Sequence, residues 1–340
     1  MNPPDFAEWL LRSFVIGATG AALIAACPAG WRGRVRLAVP VVVFGVLLAI
    51  SVAFFRPMPA LEVRAPAFVA GWTALPTDWI RPWFVGVFWL GAAFFLARMM
   101  VGAFTVWKLV HNTRPVHGRA WRSLLFECQN ALGLRGSIRM RFASPDFIPS
   151  ATGLFRRTIL LPDSANCWTS EQRRLVLLHE LGHFRRGDLW THALGQLACA
   201  LHWFNPFVWM LQRRLAVERE FACDALVVSK CAAPEAYATL LWEMGVAAHA
   251  TRPGAAACLA MAARAPGHLE QRVTRIITPR ERAGLWPRVA DSAFCGFGAL
   301  LLLACASFKP VVVRSILGAS PWTVQEIEAR LAADPFPESR

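Results

Sequence analysis

The sequence predicts an α+β protein of the multi-pass membrane kind, with about four transmembrane helices and one polar domain, containing a small sheet, between the third and fourth. Three observations lead there. Hydrophobic residues are 56% of the 340 and charged residues 17%, more apolar surface than the polar remainder of a water-soluble globule could cover. The apolar residues gather into four runs of about the 20 residues that cross a hydrocarbon core. Between the third and fourth runs, residues 108–290 mix helical and strand periodicities with most of the chain's charge.

The four runs cover residues 13–31, 37–55, 83–107 and 292–313. Trp79, Trp83 and Trp107 lie at run ends, where indole rings favour the headgroup layer, and Arg98 and Lys309 are near enough to ends to reach water. The turn between the first two runs carries Arg32, Arg34 and Arg36 without an acid, so it belongs in the cytoplasm. The expected order is three helices within 1–107 with an extracytoplasmic loop near 56–82, a cytoplasmic domain at 108–290, a fourth helix at 291–313 and a short extracytoplasmic tail at 314–340. Both termini then face outward across a bacterial-type inner membrane. Ile24-Ala25-Ala26-Cys27 loosely resembles a lipoprotein cleavage box, but Asp5 and Glu8 against a lone Arg12 do not make the basic leader that cleavage needs.

The net charge of +14 raises the question of nucleic acid. Residues 104–289 hold 24 Lys+Arg against 13 Asp+Glu, so the excess is concentrated in the polar domain. No zinc-knuckle spacing or basic-aromatic strand pattern accompanies it. Topology bias and attraction to anionic headgroups account for it, and direct nucleic-acid binding is not expected. Nine cysteines, at 27, 128, 167, 199, 223, 231, 258, 295 and 305, form no C-x-x-C pair, which fits free thiols and offers no cysteine metal site.

Within the polar domain, Trp121, Leu124, Leu125, Cys128 and Leu132 recur at helical spacing over 119–132. Ile138, Met140 and Phe142 alternate as in a half-buried strand, and Thr158-Ile159-Leu160-Leu161 before Pro162 reads as a second. Thr169 and Gln172 make a capping box for a helix running to about Arg186, with Gly187 placed to end it. An apolar helix over 189–204 follows, too short to span comfortably. Asn205-Pro206 breaks it, and a long helix runs from about Phe207 to Ser229.

The residues that carry chemistry are His179-Glu180-Leu181-Gly182-His183. Four residues apart on a helix is one face, so both imidazoles can reach one metal ion. Zinc accepts neutral imidazole, and two histidines with one carboxylate leave a fourth position open for water, which turns acidic there. Glu180 is placed to take that proton and deliver it to a leaving amine. A third ligand is sought downstream, where Val217 to Asp224 offers Glu218 and Glu220. They lie about 200° apart around a helix, so both cannot face one ion. Glu220 has Asp224 on its own face, where an acid can hold the second nitrogen of a ligand histidine. Glu220 is therefore the choice and Glu218 the runner-up. Asp224 could alternatively form only a helix-surface salt bridge.

Thr158 to Pro162, HELGHFRRGD at 179–188, Trp203-Phe204-Asn205-Pro206-Phe207-Val208-Trp209 and EREFACD at 218–224 together resemble the BlaR/MecR-type membrane zinc metallopeptidases, a group of gluzincins, over about residues 10–313. The resemblance implies a gluzincin-type zinc domain on the cytoplasmic side, with His179, His183 and Glu220 binding Zn2+ and Glu180 as catalytic acid and base. It also implies proteolysis of a cytoplasmic protein, often a DNA-binding transcriptional repressor, and sometimes self-cleavage. The antibiotic receptors of that group carry a penicillin-binding domain after the last membrane helix. The 27 residues from 314 onward are too few to build one, so β-lactam sensing by this chain is not expected, and a separate sensor protein or a homodimer remains open as partner besides the bilayer.

Weaker candidates surround these. Tyr237, the only tyrosine, could stabilise an oxyanion but is expected to be a core or interface residue. His192 and His202 lack ligand spacing and are expected in the core or at the membrane surface. Asp188 either orients the site or caps the next helix. Arg185 and Arg186 are expected to touch lipid phosphates. Two other functions fit less well: a membrane protease of the prenyl-protein or quality-control type, and a non-catalytic signalling scaffold with structural zinc, which would need a fourth protein ligand.

Overall fold

A computed structural model of the protein describes residues 3–26, 33–53, 61–64, 81–145, 147–231, 233–250, 266–278 and 308–311. The amino-terminal part supplies three apolar helices, α1 (Pro3–Ala26), α2 (Gly33–Ala53) and α3 (Arg81–Asn112). Among the described residues only the α3 stretch Val85–Asn112 is both long and apolar enough to cross a membrane; Trp9–Ala25 and Leu37–Ser51 are apolar but shorter. Trp83, Val87, Leu90, Phe94, Val101 and Phe104 stand exposed along α3. Contiguous apolar exposure of this kind marks a surface that meets lipid or another chain.

Of the expected fourth membrane helix, only residues 308–311 are described, and they are not helical. Strand β6 (Phe308–Val311) pairs in parallel with β1 (Leu61–Arg64), Leu61 opposite Phe308. Pro310 explains the departure, because it lacks an amide hydrogen and its ring obstructs the preceding helical turn. The rest of that segment, the tail 314–340, most of the 56–82 loop and Trp79 lie outside the described residues.

The polar domain runs β2 (Arg114–Pro115), α4 (Arg119–Leu132), β3 (Arg139–Ala143), β4 (Ser150–Thr152), β5 (Thr158–Pro162), α5 (Ser170–Arg186), α6 (Asp188–Leu201), α7 (Pro206–Val228), α8 (Pro234–Ala250) and α9 (Pro266–Ile277). Its four-stranded sheet has the order β2-β3-β5-β4, with β3 and β5 parallel and the outer pairs antiparallel. Both strands and the helix read from periodicity are present. Trp121, Leu125, Cys128 and Leu132 face the core, and every residue of β5 is buried. Ile159 and Leu161 of that central strand meet Leu177, Leu178 and Leu181 of α5 in one apolar cluster, so α5 is held against the sheet.

The start of α5 is the expected capping box. Thr169 Oγ1 accepts from the Gln172 amide at 3.2 Å, and Gln172 Oε1 accepts from the Thr169 amide at 3.0 Å. Gly187, at φ 70°, takes the left-handed conformation that ends the helix.

Helices α6 and α7 form a hairpin whose closed end inserts among α1, α2 and α3. Val208, Leu211, Leu215, Ala198 and Cys199 share a buried cluster with Ile16, Val43, Phe44 and Leu47. The turn is pinned by polar contacts. Asn205 Oδ1 caps α7 by accepting from the Phe207 amide at 3.1 Å, while its Nδ2 donates to Ser13 O at 2.8 Å. His202 is fully buried; its Nδ1 lies 2.8 Å from Ser13 Oγ and its Nε2 3.0 Å from Ser51 Oγ. This is the core placement expected of it. Trp203 Nε1 donates to Phe88 O at 3.2 Å, and its indole fills a notch on α3 at Gly91, where a Cβ would come within 2.3 Å of the ring.

Two substitutions test these supports, each read as a lowered unfolding midpoint in detergent. Thr169→Ala removes the cap and is expected to cost about 1 kcal/mol. Gly91→Ala pushes a methyl group into the Trp203 ring and is expected to cost about 1–3 kcal/mol by overpacking.

Candidate metal centre

Every residue of α5 from Leu175 to Gly182 is buried, so this helix is enclosed on all sides and its polar residues must find partners within the protein. His179 and His183, one turn apart, present rings with centroids 5.1 Å apart and crossed at 84°. Glu220 reaches them from α7: its Oε2 lies 3.5 Å from His179 Nε2 and its Oε1 3.8 Å from His183 Nε2. The helices approach closely because position 182 is glycine. A Cβ there would stand 3.1 Å from Leu226 Cδ2 and 3.3 Å from Cys223 Sγ.

One ligand atom from each of His179, His183 and Glu220 falls within 4.8 Å of the others, so the three could hold a metal ion. The donor set suits zinc: ligands at about 2.0–2.1 Å from a tetrahedral ion are separated from each other by about 3.3 Å, close to the distances found. Glu218 is turned away, 1% exposed and paired with Arg214 at 3.0 Å, as the angle between positions 218 and 220 requires.

The far nitrogens of both rings are engaged. His183 Nδ1 lies 2.9 Å from Asp188 Oδ2. Asp188 is the first residue of α6, whose N-cap is Gly187, and its side chain accepts from Arg186 Nε at 3.3 Å. Its place is thus beside the histidine, and Arg186, expected at lipid phosphates, turns inward to it; Arg185 remains exposed. Arg219 Nη1 donates to Asp188 O at 2.9 Å and so ties α7 to the start of α6. His179 Nδ1 lies 2.9 Å from Tyr237 Oη and 3.3 Å from Asp224 Oδ1, and the Tyr237 hydroxyl donates to that same oxygen at 2.7 Å. An oxygen that gives its proton to Asp224 can accept from His179, which leaves Nε2 as the free donor atom. Asp224 is therefore no surface salt bridge, and Tyr237, though buried as expected, belongs to the site. Cys223 Sγ lies 3.3 Å from His183 Nδ1. His183, Asp188 and Cys223 form a second possible ligand group, but it shares His183 and sits behind the first.

Arg272, on α9, is the residue that sequence patterns did not single out. It donates from Nε and Nη2 to the two oxygens of Asp224, each at 2.7 Å, and its Nη1 lies 3.1 Å from Glu220 Oε2. It comes from a helix 48 residues beyond Asp224, and no local spacing marks a lone arginine at that separation.

These charges act on one another. Burial disfavours the charged ring of His179, but the carboxylates of Asp224 and Glu220 outweigh it and push its pKa up to about 10. Burial opposes ionisation of Glu220 too, yet Arg272 and the histidines hold its carboxyl well below the usual range. The field that draws a proton to His179 is the field a divalent cation meets. Burial, with Asp188 and Glu220 nearby, drives the Cys223 thiol well up, so it stays neutral. Glu180 is 6% exposed, and among the described residues nothing pairs with its carboxylate.

Residues 77–276 match the family model described as BlaR1 peptidase M56. The chain is also similar to the regulatory protein BlaR1 of Bacillus licheniformis, 28% identical over 145 residues, which is 43% of this chain and 24% of that protein. The matched stretch thus spans about a quarter of the relative's length. The family match takes in the exposed apolar helix α3, the four-stranded sheet, the helices that carry His179, His183 and Glu220, and Arg272, more than half of the sequence, and the chain belongs to the BlaR1 peptidase M56 family.

Proposed function

We propose that the protein is an integral membrane, zinc-dependent endopeptidase that cuts a cytoplasmic protein in regulated proteolysis, with His179, His183 and Glu220 holding the metal and Glu180 acting as general base and acid. One observation carries the reading: two imidazole Nε2 atoms and one carboxylate converge on a common point while both Nδ1 atoms are held from behind. Among the described residues no fourth histidine, cysteine or acid joins that group, which favours a site open to water over a closed structural one.

A zinc ion bound there supplies Lewis acidity toward the scissile carbonyl and the attacking water. Glu180, buried and unpaired, takes the proton of that water and passes it to the departing amine. Asp188 and Asp224 keep the two rings turned with Nε2 inward. The substrate lies extended along β4, whose one described partner is β5, so its other edge is available to a peptide backbone.

The membrane order follows the sequence expectation except at one place: α1, α2 and α3 lie in the bilayer together with the turn of the α6–α7 hairpin packed among them, the remainder of residues 108–290 lies in the cytoplasm, and a further crossing follows residue 290. Pairing of β1 with β6 supports it, since the loop after α2 and the stretch following the last crossing then share one side. The similar Bacillus licheniformis protein is itself called a regulatory protein, which fits proteolysis in a regulatory role; the substrate proposed here is a transcriptional repressor, as the sequence resemblance implies.

Glu180→Gln is expected to keep stoichiometric metal and lose cleavage by at least about 10²-fold; comparing cytoplasmic proteomes of cells carrying wild type and this variant identifies the substrate, and cutting at the wild-type rate removes Glu180 from its role. His179→Ala and Glu220→Ala are expected to lose metal, measured by elemental mass spectrometry, while Glu218→Gln keeps it. Tyr237→Phe is expected to weaken metal binding about 10–100-fold, read by chelator competition, because the His179 ring loses a contact that fixes it.

A further inference from the structure

Helix α9 meets the site with three residues at intervals of three, which lie along one face. Leu269 fills a notch at Gly245 of α8, where a Cβ would stand 2.4 Å from Leu269 Cδ2. Arg275 lies over the Phe221 ring of α7, 3.7 Å from its centroid. Between them Arg272 points at Glu220 and Asp224. Those two acids are four residues apart on α7, where like charges repel, and both are buried or nearly so. Without a cation between them the arrangement would be costly.

We propose that Arg272 is a positioning residue for the metal centre, fixing Glu220 through Oε2 and, by gripping both oxygens of Asp224, the ring of His179. The proposal rests on the metallopeptidase reading above. A guanidinium suits the task because its donors form a rigid planar fork that can meet two carboxylates at once. One cation thereby sets two of the three ligands. Of the two Glu220 oxygens, Arg272 meets Oε2, and Oε1 lies on the His183 side. The metal centre is therefore complete only when α9 is docked, although α9 contributes no ligand.

The test uses the full-length protein in detergent, loaded with zinc in competition with a chromophoric chelator, and with cobalt for its visible spectrum. Arg272→Lys keeps the charge but not the fork. It is expected to bind zinc about 10–100-fold more weakly than wild type and to show altered cobalt bands. Arg272→Ala is expected to lose at least as much affinity and to recover most of it when guanidinium is added, a rescue that simple loss of packing would not show. Should Arg272→Ala fail to fold, Arg272→Lys carries the test alone. Wild-type affinity and an unchanged cobalt spectrum in Arg272→Lys would overturn the proposal. A wild-type protein that takes up no metal would instead overturn the reading on which it rests.

Discussion

The structure depends on burying a charged constellation where two apolar helices cross. Helix α5 is enclosed along the turns that carry His179 and Glu180, and α7 lies against it at the glycine of position 182. In such surroundings an imidazole or carboxylate without a partner costs several kcal/mol. The answer is reciprocal pairing: Asp188 behind His183, Asp224 and Tyr237 behind His179, Arg272 across Asp224 and Glu220. Among the described residues of this constellation, Glu180 is buried at 6% exposure without such a partner.

The second consequence concerns how the site is attached to the rest of the molecule. The α6–α7 hairpin has its turn in the bundle of α1, α2 and α3 and its open ends at the metal centre. Asp188 begins one arm and Glu220 lies in the other. Around the turn, His202, Asn205, Ser13 and Ser51 form a polar network inside apolar surroundings, where hydrogen bonds are strong and leaving one unmade is expensive. The same α7 contributes Leu211 and Leu215 to the bundle core and Val227 to the core beneath the sheet. Helix α7 thus runs from the core of the bundle to the core beneath the sheet.

Much of this was readable along the chain because the relevant physics is local. Period-3.6 and period-2 patterns placed α4, β3 and β5. The Thr169–Gln172 box and Gly187 marked both ends of α5, and Asn205-Pro206 marked the start of α7. Two imidazoles four residues apart need only a helix to share a face. Glu220 over Glu218 followed from angular spacing on a single helix, with Asp224 as its companion. The end of the fourth apolar run is a strand and not helix at Phe308–Val311; apolar content alone reads alike for the two, and Pro310 disfavours the helix. Arg186, expected at lipid phosphates, instead turns to Asp188 two residues on, because a buried acid there needs a cation.

What the sequence by itself determined is a set of groups: two histidines one helical turn apart, a glutamate between them, a downstream carboxylate, and enough apolar chain to seek a bilayer. What only the tertiary structure decided is how those groups are held. Tyr237 and Arg272 stand 58 and 48 residues from the partners they meet, and His202 meets Ser13 across 189. Such contacts leave no periodicity behind, because they are fixed by the packing of separate helices and the need to neutralise charge inside it.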